Sequence, residues 1–127
     1  MNENGIATKI VNAAFKIHKT VGPGLLESVY ETLMAHELTK RELHFTRQQM
    51  IAVIYEQIRF DEGFRADIIV ENKVIVELRS IETIAPIHKK QLLTYLRLAD
   101  KRLGLLINFR DVLIKNGFTR LVNNLVE

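Results

Sequence analysis

The chain has 127 residues, of which 47% are hydrophobic and 26% charged, with a formal net charge of +3; this is enough apolar content for one sizeable core in one soluble domain, residues 1–127, and too little length for two. It has no cysteine, which excludes disulfides, thiolate zinc sites and cysteine nucleophiles; it carries serine only at Ser28 and Ser80 and contains no Gly-rich phosphate loop, so neither a serine hydrolase nor a nucleotide-driven machine is expected. Any metal must therefore use oxygen or histidine ligands, which favours Mg²⁺ or Mn²⁺, and the mild positive charge is compatible with a polyanionic partner.

Apolar residues at Ile6, Ile10, Ala13 and Ile17, widened by Ala14 and Phe15, predict an amphipathic helix from about Ile6 to Lys19. Gly22-Pro23-Gly24 stops it. A second helix is expected from about Leu25 to Lys40, with Leu26, Val29, Leu33 and Leu38 facing the core. Phe45 to Ile54 alternates loosely and is rich in β-branched and large residues, so it reads as a strand, with Ile58-Arg59-Phe60 as its return partner or a bent continuation. Asp61-Glu62-Gly63 reads as a turn into a hairpin formed by Phe64–Val70 and Val74–Arg79. Pro86 at a first helical position predicts a third helix to about Ala99. Leu103 to Phe109 is a continuous apolar run of strand length, the mark of a central strand buried on both faces. Val112-Leu113-Ile114 suggests one more strand, and Phe118 to Val126 a short terminal helix. The order predicts an α/β domain with a mixed central β-sheet flanked by helices. No apolar run approaches the roughly 18 residues of a membrane span, and the first residues lack the segments of a secretory signal; a cytoplasmic protein without a membrane partner is expected.

The chemistry concentrates in the hairpin. Strand alternation puts Ala66, Ile68, Val70, Val74, Val76 and Leu78 on one apolar face and Asp67, Glu77 and Arg79 on the other. With Glu71-Asn72-Lys73 as a three-residue turn, Asp67 stands opposite Glu77, with Cβ atoms roughly 5 Å apart. Two bare carboxylates so placed repel, and a divalent cation between them converts the repulsion into coordination. Arg65 and Arg79 offer a second account, a cross-strand charge ladder on a solvated face.

Glu27 and Tyr30 share a face of the second helix. Glu27 is either a favourable partner of the helix dipole or a third carboxylate near the metal, braced by Tyr30. Gln91 and Tyr95 lie one turn apart in the third helix. Lys89 and Lys90 stand in its first turn, where cations oppose the helix dipole; a phosphate backbone beside them would account for both. His88 adds a donor. His18, His36 and His44 are scattered and read as surface or packing residues.

Gly24-Leu25-Leu26-Glu27-Ser28-Val29-Tyr30 resembles the pattern of the GxxExxY protein family, a branch of the PD-(D/E)XK, or restriction-endonuclease-like, nuclease superfamily. The resemblance continues through Phe64-Arg65-Ala66-Asp67, Val76-Glu77-Leu78-Arg79, Gln91-Leu92-Leu93-Thr94-Tyr95 and Gly104 to Phe109. It implies a restriction-endonuclease-like three-layer core and a Mg²⁺- or Mn²⁺-dependent nuclease, acting on DNA more readily than RNA. Asp67 and Glu77, with the backbone carbonyl of Leu78, would bind the metal. Glu27, Arg79, Gln91 and Tyr95 would complete the catalytic set, and Tyr30, His88, Lys89 and Lys90 the nucleic-acid-binding set. The chain departs from the superfamily pattern at Arg79, where lysine is usual. Arginine stays charged and cannot act as a general base, but it can grip a phosphate. The alternative is a nucleic-acid-binding module with impaired catalysis, docking as a homodimer.

Overall fold

The computed structural model describes residues 1–126. Helix α1 spans Glu3–Val21. The Asn2 side chain caps it by accepting from the Gly5 amide at 2.8 Å, and Gly22, in a left-handed conformation with φ 78°, ends it by donating to the His18 carbonyl. Its inward stripe is Ile6, Ile10, Ala13, Ala14 and Ile17, as the periodicity predicts.

Helix α2 spans Glu27–Lys40, and its inward face matches the expected one at Leu33 and Leu38, which pack in the core, but differs at its start. Tyr30, Met34 and Leu38, one turn apart, are buried, whereas Leu26 is 73% exposed and Val29 also faces solvent. Tyr30 sets this rotation. Its ring stacks on Phe109 with centroids 4.2 Å apart, its hydroxyl donates to the Gly22 carbonyl at 2.6 Å and accepts from the Leu25 amide at 3.1 Å. One aromatic side chain thereby fixes the Gly22-Pro23-Gly24 loop and the start of α2.

Strands β1 (Phe45–Tyr55), β2 (Ile58–Val70), β3 (Val74–Arg79), β4 (Leu103–Asn108) and β5 (Phe118–Val122) form one sheet in that spatial order, and α3 (Pro86–Leu98) connects β3 to β4. The β3–β4 pair is parallel and the others antiparallel, so the sheet is mixed. The first apolar cluster packs α1 and α2 on Ile68, Val70, Val74, Val76, Leu78, Leu105 and Ile107. The second packs Leu92 and Leu96 of α3 on Phe64, Ala66, Ile69, Ile75 and Leu106. Successive residues of β3 and β4 belong to opposite clusters, which makes three layers with β3 and β4 buried on both faces. This is the expected α/β architecture, consistent with a restriction-endonuclease-like fold.

Four local expectations are corrected. Asp61-Glu62-Gly63 is no turn: β2 runs through it, and the chain reverses at Glu56 and Gln57 instead. Gly63 lies beside a register shift between Ile51 and Val53, where a Cβ would stand 2.1 Å from Val53 Cγ2; glycine is there for close approach, not for reversal. Val112 and Leu113 form an exposed connection into a 3₁₀ turn, Ile114–Gly117, rather than a strand. The tail is strand β5, not a helix, because the outer edge of β4 takes an antiparallel partner, with Leu103 opposite Val122 and Ile107 opposite Phe118. Ala66 does not share the face of Ile68 and Val70; it packs under α3.

Candidate active site

β2 and β3 are paired from Val70 and Val74 to Ile68 and Val76. One step further the register places Asp67 opposite Glu77, as the three-residue turn predicts, and there side chains take over from the backbone ladder. The Asp67 amide donates to Oε2 of Glu77 at 2.8 Å, and the Leu78 amide donates to Oδ2 of Asp67 at 2.9 Å. The strands separate at the point where each lends the other a carboxylate.

Arg79 closes this pair. Its Nη1 donates to the Leu78 carbonyl at 2.8 Å and to Oδ2 of Asp67 at 3.3 Å, while Nη2 lies 3.9 Å from Oε1 of Glu77. The charge-ladder account thus holds in part: Arg79 pairs with Asp67 and reaches toward Glu77, one positive charge beside two acids. The face is not solvated, however, for Glu77 is only 4% exposed. Burial, and next the charge of Asp67, push the Glu77 carboxyl up to about 8, against the opposing pull of the Asp67 amide and Arg79. A buried acid held protonated beside a second carboxylate marks a place short of positive charge.

The donor set fits a hard divalent cation. Oε1 of Glu77 has only the distant Arg79 nitrogen, and Oδ1 of Asp67 only a long 3.4 Å contact from Gln48. Among the described residues no three His, Asp or Glu side chains form a ready-made ligand cluster. Mg²⁺ is commonly held by one or two carboxylates with water and substrate phosphate supplying the rest.

The other predicted residues divide. Glu27 is exposed at the start of α2, and its Oε2 accepts from the Ser80 amide, just beyond β3, at 3.3 Å. Tyr95 stacks on Phe64 with centroids 4.0 Å apart, and burial together with the Glu77 charge raises its hydroxyl pKa; it borders the acids from the α3 side. Gln91 is exposed one turn earlier on α3, with Lys89 and Lys90 exposed beside it near the helix start. His88 is occupied at the helix start, its Nδ1 accepting from the Ala85 amide at 3.0 Å. Tyr30 has no exposed surface, so the expectation that it touches nucleic acid is corrected: its hydroxyl and ring are committed to Gly22, Leu25 and Phe109.

A groove of about 520 Å³ opens onto Asp67, lined by Glu27, Ser28, Glu31, Gln48, Arg65 and Leu78. Two of these were not singled out in the sequence. Glu31, 9% exposed, accepts from Arg47 Nε and Nη2 at 2.9 Å on one oxygen and from the Gln48 carboxamide on the other. The available signal was its spacing: Glu27 and Glu31 are like charges four residues apart on one helix face, an unfavourable pairing in isolation. Gln48 carried no signal, since an amide in a strand has no distinctive pattern.

No curated protein and no solved structure matches the chain. A family model described as the PD-(D/E)XK nuclease superfamily matches residues 4–121, nearly the whole sequence. On that match, over a fold with the same layers, the chain belongs to the PD-(D/E)XK nuclease superfamily.

Proposed function

We propose that the protein is a divalent-metal-dependent nuclease that hydrolyses phosphodiester bonds in DNA in preference to RNA, with Mg²⁺ or Mn²⁺ held by Asp67 and Glu77. Nucleases of this superfamily generally use divalent metals and act on nucleic acid. The observation that carries the reading is the pair of carboxylates itself: Asp67 and the buried Glu77 interlock across β2 and β3, and each keeps one oxygen with only a long contact, so a divalent cation between them offsets their repulsion. Such a metal lowers the pKa of bound water and stabilises charge on a phosphoryl oxygen.

In this reading Asp67 and Glu77 orient the reacting centre, and Arg79, whose guanidinium already lies between them, contacts the scissile phosphate. Glu27 and Tyr95 border the substrate path from opposite sides, Gln91 extends that border, and Lys89 and Lys90 grip the nucleic-acid backbone without reading sequence. The GxxExxY resemblance agrees with Glu27 as part of the site.

A second reading is favoured by two contacts of one side chain. Arg79 bonds both Asp67 and the Leu78 carbonyl, two groups a metal would use, which suits a nucleic-acid-binding module with impaired catalysis. Incubating labelled single- and double-stranded DNA and RNA with wild type and Glu77→Gln, in Mg²⁺ and in Mn²⁺, separates the two. Cutting that requires metal and is lost in the variant supports the nuclease; salt-dependent binding with no cutting by either supports the binding module.

A further inference from the structure

Among the described non-glycine residues with positive φ, Gln48, at 51°, alone lies inside a strand; the others occupy turns or bends. This conformation is disfavoured wherever a Cβ is present and persists only when the surroundings over-determine it. The β1–β2 register puts Arg47 opposite Ile68 and Gln49 opposite Ala66, so Gln48 stands across from Asp67. Both strands turn over at that point, since Ile68 packs under α1 and α2 but Ala66 under α3, whereas residues two apart on a regular strand share a face.

The kink delivers a carboxamide. Gln48 Nε2 donates to Oε1 of Glu31 and lies 3.4 Å from Oδ1 of Asp67. Glu31 is itself held on its other oxygen by Arg47. A chain of fixed groups therefore runs from α2 to the one Asp67 oxygen that neither Leu78 nor Arg79 uses. Stability alone is a poor account of it, because Arg47 already pairs Glu31, and glycine would take the same backbone without strain.

We propose that Gln48 is a positioning residue for the Asp67 carboxylate: its left-handed backbone holds an amide bridge from Glu31 that sets Oδ1 of Asp67 for a divalent cation. The inference rests on the metal-site reading above.

Calorimetric titration of Mn²⁺ into the full chain tests it, alongside thermal melting in chelator. Gln48→Gly is expected to melt within a few degrees of wild type yet bind Mn²⁺ about ten- to a hundredfold more weakly, the usual loss when a partner orienting a metal ligand is removed. Glu31→Gln is expected to weaken binding comparably, and the double variant no further than the weaker single, because both break one bridge. Should Gln48→Gly not fold, Gln48→Asn, which tolerates the same φ but is one methylene shorter, carries the comparison. Wild-type affinity in the folded Gln48 variant overturns the positioning role while leaving the metal site standing. A wild type that binds no Mn²⁺ overturns the metal site, and the positioning role with it.

Discussion

Asp67 and Glu77 are interlocked through each other's strand: the Asp67 amide is satisfied by the Glu77 carboxylate at 2.8 Å, and the Asp67 carboxylate satisfies the Leu78 amide at 2.9 Å. Each acid therefore has a structural acceptor role besides any chemical one, and substitutions separate the two. Asp67→Asn and Glu77→Gln keep an acceptor oxygen and should melt near the wild type while losing metal binding. Asp67→Ala and Glu77→Ala leave a buried amide unpaired and should each lose about 1–3 kcal/mol as well, read by urea unfolding.

The raised Glu77 carboxyl gives the metal-free protein a pH signature. Between the ordinary value of 4.5 and about 8, the folded state holds a proton that the unfolded chain has released. The contribution is thus fully present below about 4.5 and is lost as pH rises to about 8, with a maximal slope of roughly 1.36 kcal/mol per pH unit. Melting of Glu77→Gln in chelator should lack this slope, so the variant gains on the wild type as pH rises. Parallel profiles for the two proteins would refute the buried acid.

Arg79, only 19% exposed at its side chain, supplies the positive charge beside both acids. Arg79→Ala should lower metal-free stability by about 1–3 kcal/mol and enlarge the rise in melting temperature produced by Mn²⁺, because the cation no longer competes with a guanidinium. Arg79→Lys keeps the charge on a group that can lose its proton, and faster cleavage than wild type is expected in a gel assay.

Lys89 and Lys90 are exposed at the end of the first turn and the start of the second turn of α3, near the end where cations oppose the helix dipole. Replacing both by alanine should leave the melting temperature unchanged or slightly higher. Duplex DNA affinity should fall, and the dependence of log affinity on log salt should flatten by about 2. An unchanged salt slope would place the nucleic acid elsewhere.

The three-residue turn between Val70 and Val74 was enough to pair Asp67 with Glu77, because it fixes register by arithmetic, even though the alternation that placed Ala66 beside Ile68 failed. Helix α1 was legible from the period of its apolar residues, and strand β4 from an unbroken apolar run of strand length. The tail was not: Leu121, Val122, Leu125 and Val126 suit a helix by spacing, and what makes Phe118–Val122 a strand is the open edge of β4, a feature of the assembled sheet. Nor could the sequence reveal Gln48, whose position depends on a left-handed backbone that local propensity opposes. The inward face of α2 was legible at Leu33 and Leu38 but not at its start, where Tyr30 turns inward in place of Leu26 and Val29, since the stacking of Tyr30 on Phe109 couples positions 79 residues apart.

The central claim, that Asp67 and Glu77 hold a divalent cation, is tested most directly by anomalous scattering from crystals of the protein soaked in Mn²⁺. The account predicts a peak at the Asp67 and Glu77 carboxylates, with the Arg79 guanidinium drawn away from Oδ2 of Asp67. A map with no peak there, and Arg79 still bonded to Asp67 and the Leu78 carbonyl, would contradict it.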